Sequence, residues 1–278
     1  MKQKDLRCAR LIYNELCMPT DCYDEDGKLL NFDYVVAIDD DITSAIYAVK
    51  MAREIQEIYG YFPTILCVGG KGILSQYLYN KSEAEVLADV CIKLGYPKDL
   101  LWHQGLEQGK NCGENLQNIA KVIRCHYLNR PKVLFCVTKR QSLRYVLTQR
   151  KQEPYIDARW YVIKESLEKA CKMENAKALC NDEMMLHELV AILPLCEQYA
   201  GTLQEPIPFK VSDETREAAD YLAERYRLKI GSELRLIDYL RYARLYISLK
   251  LNRKRIAEAI DAAIWGARFD QALRNHRY

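Results

Sequence analysis

The chain has 278 residues, 49% of them apolar and 28% charged, with a formal net charge of +3. Such a composition can bury a sizeable core, which excludes a disordered chain. No stretch approaches the roughly 18–20 apolar residues that cross a bilayer, and Met1–Leu6, followed by Arg7 and Arg10, lacks the apolar run of a secretory signal, so a cytoplasmic protein without a transmembrane segment is expected.

In chain order, a helix is predicted over Asp5–Leu16, then a polar loop over Asp21–Lys28 that ends near Gly27. Tyr34–Ile38 is short, apolar and β-branched, and reads as a first strand. The next helix, Thr43–Tyr59, carries Ile46, Val49, Met51, Ile55 and Ile58. Thr64–Val68 is a second strand. Ser82 opens a helix to Leu94, with Glu85 three residues later in a capping-box pattern. Leu100–Trp102 is a weaker strand. Asn111 and Glu114 repeat the capping pattern at the start of Asn111–Tyr127. Val133–Val137 is a strong strand and Trp160–Ile163 a weaker one.

Spacings of about 30 residues between the first strands suit βαβ units. Continuous apolar runs suit strands buried on both faces of a parallel sheet. The predicted fold is therefore α/β: a Rossmann-like, doubly wound, mostly parallel sheet over residues 1–165, with a helical C-terminal region over 166–278. Helices are expected at Ser166–Lys177, Asp182–Gln198 and Asp213–Tyr226, with a connection at Gly201–Pro208 and amphipathic stretches at Ser232–Asn252 and Arg253–Arg274.

Eleven cysteines suggest metal or disulfide chemistry, but the number is odd and no Cys-x-x-Cys pair exists. Cys67, Cys91, Cys125 and Cys136 sit in apolar runs and are expected to act as small buried hydrophobes. Cys8, Cys17 and Cys22 have no histidine nearby.

In open parallel sheets, ligands bind beyond the carboxyl ends of the strands. Four segments follow strands here: Asp39-Asp40-Asp41, Gly69-Gly70-Lys71-Gly72, the loop ending in Asn111-Cys112-Gly113-Glu114-Asn115, and Thr138-Lys139-Arg140. The glycine-rich segment could turn backbone amides toward an anion, or could simply make a turn that needs positive φ. It is not a P-loop. Ser82 and Asn111 are good N-caps, and a helix start also suits an anion; Glu83, Glu85, Glu114 and Asn115 lie in those first turns. Lys139, Arg140 and Arg144 form a basic group that could neutralise a phosphate or a carboxylate, or be a solvated helix start.

These residues carry a family resemblance. Asn111-Cys112-Gly113-Glu114-Asn115 resembles the Asn-Thr/Cys-x-Glu-Asn signature of the YdcF/SanA/ElyC family, in its YdcF form. Asp33-Tyr34-Val35-Val36, Gly69-Gly70, Ser82-Glu83-Ala84-Glu85, Gly95-Tyr96-Pro97 and Arg144 are similar, in the same order, to further pieces of that family over about residues 33–150. The resemblance implies a Rossmann-like sheet with a cleft lined by Gly69, Gly70, Ser82, Glu83, Asn111, Glu114, Asn115, Thr138, Lys139 and Arg144. It also implies a nucleotide-type ligand, S-adenosylmethionine or a relative, with the reaction undefined. Two departures stand out. Asp39-Asp40-Asp41 replaces the glycine-bearing first loop, and Leu106-Glu107-Gln108 stands where the family has an acid followed by Asp and Gln.

Three acids near a polyphosphate would repel it unless Mg²⁺ took part, with Asp39 and Asp41 as its ligands. Val35–Thr43 also resembles the first motif of haloacid-dehalogenase-type phosphatases, in which Asp39 would attack phosphorus and Asp41 would act as general acid. No paired acids end a further strand, as that mechanism needs. A third reading is an interaction protein. Residues 225–278 hold 13 Lys or Arg against 5 Asp or Glu, interleaved with Tyr239, Tyr242 and Tyr246, a surface for nucleic acid or anionic lipid or simply a basic helical pair packed on the core. The four histidines, His103, His126, His187 and His276, are scattered, and no nucleophile–base pair is visible.

Overall fold

Five strands form the sheet: β1 (Tyr34–Ile38), β2 (Thr64–Val68), β3 (Leu101–Trp102), β4 (Lys132–Thr138) and β5 (Asp157–Ile163). The computed structural model describes residues 2–38, 42–71, 81–126, 130–164, 167, 182–226, 258 and 261–268. Asp39–Asp41, Gly72, the helix expected over 166–177 apart from Leu167, and the basic tail apart from Arg225, Tyr226, Glu258 and 261–268 lie outside the described residues. All four strand pairings are parallel, in the order β3-β2-β1-β4-β5.

The helices are α1 (Gln3–Glu15), α2 (Ile42–Tyr59), α3 (Glu83–Lys93), α4 (Cys112–His126), α5 (Lys139–Gln152), α6 (Asp182–Tyr199) and α7 (Asp213–Arg225). Alternation along each strand sends neighbouring side chains to opposite faces. Val35, Ala37, Ile65, Cys67, Leu134 and Cys136 pack under α2 and α3. Val36, Ile38, Leu66, Val68, Phe135 and Val137 face α1, α4, α5, α6 and α7. Helices thus cover both faces, which gives the doubly wound α/β arrangement. The chain winds outward from β1 through β2 to β3, then returns to β4 on the far side of β1. The winding reverses between β1 and β4, and that reversal opens a crevice at the carboxyl edge.

β5 is an edge strand, and the segment after α1 covers it. The Asp21 amide donates to the Trp160 carbonyl at 3.0 Å, and Thr20 Oγ1 accepts the Val162 amide at 3.1 Å. These contacts remove ladder groups that would otherwise pair with another chain. The polar loop makes a tight turn. Asp24 Oδ1 accepts the Asp26 and Lys28 amides, and Gly27 has φ of +76°, a conformation that costs a side-chain-bearing residue free energy.

Helices α6 and α7 share the core of α1, α4 and α5 through Leu189, Leu193, Ala218 and Leu222. On the opposite face, residues 261–268 are helical, with Ile264 buried against the α2 and α3 side and Asp261 paired to Lys93 at 2.9 Å. Among the described residues no helix is long and apolar enough to cross a membrane.

Cys67, Cys91 and Cys136 are buried as expected, and burial holds the Cys136 thiol well above its usual range. Cys125 is exposed. Its apolar neighbours misled the reading: Ile119, Ala120 and Ile123 mark the inward stripe of α4, and Cys125 lies two residues past that stripe.

Candidate functional site

The carboxyl edge begins with the turn after β2. The Gly69 amide donates to the Leu106 carbonyl at 3.1 Å and the Gly70 amide to the Gly109 carbonyl at 2.9 Å. Their carbonyls accept the Ala84 and Glu83 amides, at 2.9 and 3.1 Å, and so cap α3. The pair therefore splices the β2 turn to the β3–α4 loop and to α3, and neither amide is turned toward an anion. Glycine is required for contact distance. A Cβ on Gly70 would lie 2.3 Å from the Gly109 carbonyl oxygen, and one on Gly69 (φ +142°) 2.6 Å from Glu83 Oε2. Because the obstacle at Gly70 is backbone, Gly70→Ala is expected to shift the 103–111 loop and to lower stability by about 1–3 kcal/mol in chemical denaturation.

Ser82 works as the sequence predicts. Its Oγ accepts the Glu85 amide at 3.2 Å, while Glu85 Oε2 accepts the Ser82 amide and hydroxyl, both at 2.8 Å. These bonds hold the Glu85 carboxyl below its usual range, the Ser82 amide bond most strongly, then the Ser82 hydroxyl, against a smaller cost of burial. With the Glu83, Ala84 and Glu85 amides all donated to protein oxygens, the α3 start has little left for an anion.

The α4 start is capped by Asn111, but Glu114 reaches the Lys110 amide rather than the Asn111 amide of a true capping box. Asn111 Oδ1 accepts the Glu114 amide at 2.9 Å and Asn111 Nδ2 donates to Glu114 Oε1 at 2.8 Å. Glu114 Oε2 accepts the Lys110 amide at 2.9 Å. Both side chains are thereby engaged locally; Asn111 is exposed and Glu114 half-buried.

Asn115 differs. It is 6% exposed, and its Nδ2 donates to the Tyr145 hydroxyl at 3.3 Å. Its Oδ1 is buried with no hydrogen-bond partner. Exchanging the amide's O and N would leave the other end unpartnered instead. The loop closes over this amide at Gly109, where an added Cβ would fall 1.9 Å from Asn115 Oδ1. Glu107, on the same loop, also has a buried and unpartnered Oε2.

Beyond β4, Thr138 begins α5 but makes no side-chain capping bond. Lys139 Nζ donates to Asn14 Oδ1 at 2.7 Å and lies 4.8 Å from the Tyr13 ring centre. Arg140 is 3% exposed and its Nη1 pairs with Glu188 Oε2 of α6. Arg144, one turn further, has a buried Nε with no hydrogen-bond partner. The Cys112 sulfur at the first position of α4 is the main influence that raises the Arg144 pKa, ahead of burial, which opposes it, and of Tyr145, Cys196 and Glu188. Burial pushes the Cys196 thiol up to about 11 in spite of the Arg144 charge.

Of the residues read from the sequence, Gly69, Gly70, Ser82, Glu83, Asn111, Glu114 and Asn115 meet around the β2 and β3 ends. Thr138, Lys139 and Arg144 stand at the β4 end, and Arg144 approaches Cys112. Asp39 and Asp41 lie outside the described residues. Gly109 and Tyr145 carry no local motif and were missed; their signal was only proximity to Asn115. Among the described residues, no group of three or more His, Cys, Asp or Glu could hold a metal ion. No family model matches the chain, and no curated protein matches it.

Proposed function

We propose that this chain binds a nucleotide-type ligand, S-adenosylmethionine or a related adenine nucleotide, at the carboxyl edge of its sheet. Asn115 carries the reading. An amide oxygen buried without a partner costs about 1–3 kcal/mol, a cost that a ligand N–H donor would remove. Glu107 Oε2 and Arg144 Nε are buried and unpartnered in the same way. They would add an acceptor for a ribose hydroxyl or an amino group, and a donor for an anion. The reversal of winding between β1 and β4 is where such sheets take their ligands.

The same geometry divides the signature. Asn111 and Glu114 shape the helix start, and Asn115 is the recognition group. Asn111→Ala is expected to lower stability by about 1 kcal/mol through the lost cap. Asn115→Ala is expected to leave stability within about 1 kcal/mol of wild type, since it removes an unsatisfied group, and to weaken the ligand about tenfold or more. Calorimetry with S-adenosylmethionine, its demethylated product, ATP and NAD on both variants checks this. If none of the four binds wild type at millimolar concentration, or if Asn115→Ala unfolds the chain, the reading fails.

A further inference from the structure

A separate cleft of about 420 Å³ opens on the same edge, at the ends of β4 and β5. Its walls include Met18, Pro19 and Thr20 from the α1–β1 connection, Val162 of β5, and two lysines, Lys139 and Lys164. No carboxylate among the described residues lines it. Among the described residues neither lysine has a carboxylate partner: Lys139 donates to the neutral Asn14 amide, and Lys164 is exposed.

Among the described residues, no acid offsets the charge of Lys139. It is the first residue of α5, at the positive end of the helix dipole, next to Arg140 and with no acid in the first turn. Arg140 is compensated by Glu188. Among the described residues, Lys139 meets the Asn14 oxygen, the face of Tyr13 and the Cys17 thiol. A bound anion would be attracted both by the lysine charge and by the helix dipole. The floor of the cleft is apolar, so an anion carried on a partly apolar molecule fits better than a small hydrated ion.

We infer that this cleft is an anion subsite, in which Lys139 and Lys164 hold a phosphoryl or carboxylate group while the adjoining part of the ligand lies against Met18, Pro19 and Val162. The inference rests on the nucleotide-type reading for the identity of the whole ligand, because the cleft lies at the carboxyl edge of the same sheet. The subsite itself is defined by the two lysines.

The test is calorimetry on the full chain at low ionic strength with inorganic pyrophosphate and with succinate, which separate phosphoryl from carboxylate recognition. Lysine-dependent binding of either probe supports the subsite. Wild type is expected to bind one equivalent. Lys139→Gln and Lys164→Gln are each expected to weaken binding about tenfold, in line with loss of one charge-assisted contact. Lys164→Gln alters an exposed side chain and so tests the subsite without risk to folding. No binding of either probe, or equal binding by wild type and both lysine variants, overturns the inference. An adenine nucleotide that binds wild type and both lysine variants equally would overturn the subsite alone. Lysine-dependent pyrophosphate binding without any adenine nucleotide binding would support the subsite and remove the nucleotide reading.

Discussion

Phe135→Ala is expected to destabilise the protein by about 3–5 kcal/mol, enough to lower Tm by about 10 °C in a chain of this size. Phe135 is fully buried in β4, which is hydrogen-bonded on both sides, to β1 and to β5. Its register partner on β5 is Trp160, and the rings stack with centroids 4.4 Å apart and planes 18° apart. Truncation therefore removes buried apolar surface, leaves a cavity in the close-packed core, and breaks an aromatic pair worth about 0.5–1.5 kcal/mol beyond its area. Phe135→Leu keeps most of the volume and should cost less than half as much. Urea denaturation followed by tryptophan fluorescence reads both variants. Equal, small effects would mean that the β4–β5 face is loosely packed.

The second large effect is expected at Asp5. This carboxylate is fully buried in α1 and ties down α7. It accepts the Tyr221 hydroxyl at 3.1 Å, the Tyr226 hydroxyl at 2.7 Å and the Lys2 amide at 3.1 Å, and pairs with Arg225 Nε at 2.9 Å. At the other end of α1, Glu15 accepts the Ser212 amide and hydroxyl and the Thr215 hydroxyl. Asp5→Ala leaves three donors and a cation without their acceptor, and should cost about 3–5 kcal/mol. Burial by itself would raise the Asp5 and Glu15 pKa values. For Asp5 the bonds from Tyr226, Lys2 and Tyr221 and the Arg225 charge outweigh it, and for Glu15 those from Ser212 and Thr215 do. Both carboxyls are therefore depressed in the folded state. Their stabilisation is fully present above the ordinary carboxylate range near pH 4, and is lost as pH falls through it toward the lower folded values. Acid titration of stability should show a steep fall below about pH 4 in wild type and a shallower one in Asp5→Asn. Identical acid limbs would show that α1 and α7 are not joined through this carboxylate.

These two cases also show what a sequence discloses and what it hides. Ser82 with Glu85, and Asn111 with Glu114, were legible because capping is local: three residues determine the hydrogen bonds. β1, β2 and β4 were legible because both faces are buried, whereas half-buried Leu101–Trp102 at the sheet edge left only a weak trace. The joining of Asp5 to Arg225 spans 220 positions and has no local signature. Helices α6 and α7 therefore read as an addition to the sheet, whereas their apolar residues share the core of α1. Within the site, Asn115 was half legible. It lies four residues before Ile119 and one before Leu116, on the apolar stripe of α4, and a polar residue on such a stripe signals burial. What lay beyond reach was Gly109 closing over it and Lys164 facing the β5 cleft, since both depend on how loops from distant strands come together.

The proposed ligand site is the carboxyl edge of the sheet, centred on Asn115. Hydrogen–deuterium exchange with and without a saturating concentration of S-adenosylmethionine or ATP, whichever binds, tests it most directly. The account predicts slowed exchange in peptides covering 103–116 and 138–145, with none at the amino edge around 60–63 and 153–157. Protection confined to the amino edge, or a bound nucleotide that slows exchange in neither carboxyl-edge peptide, would contradict it.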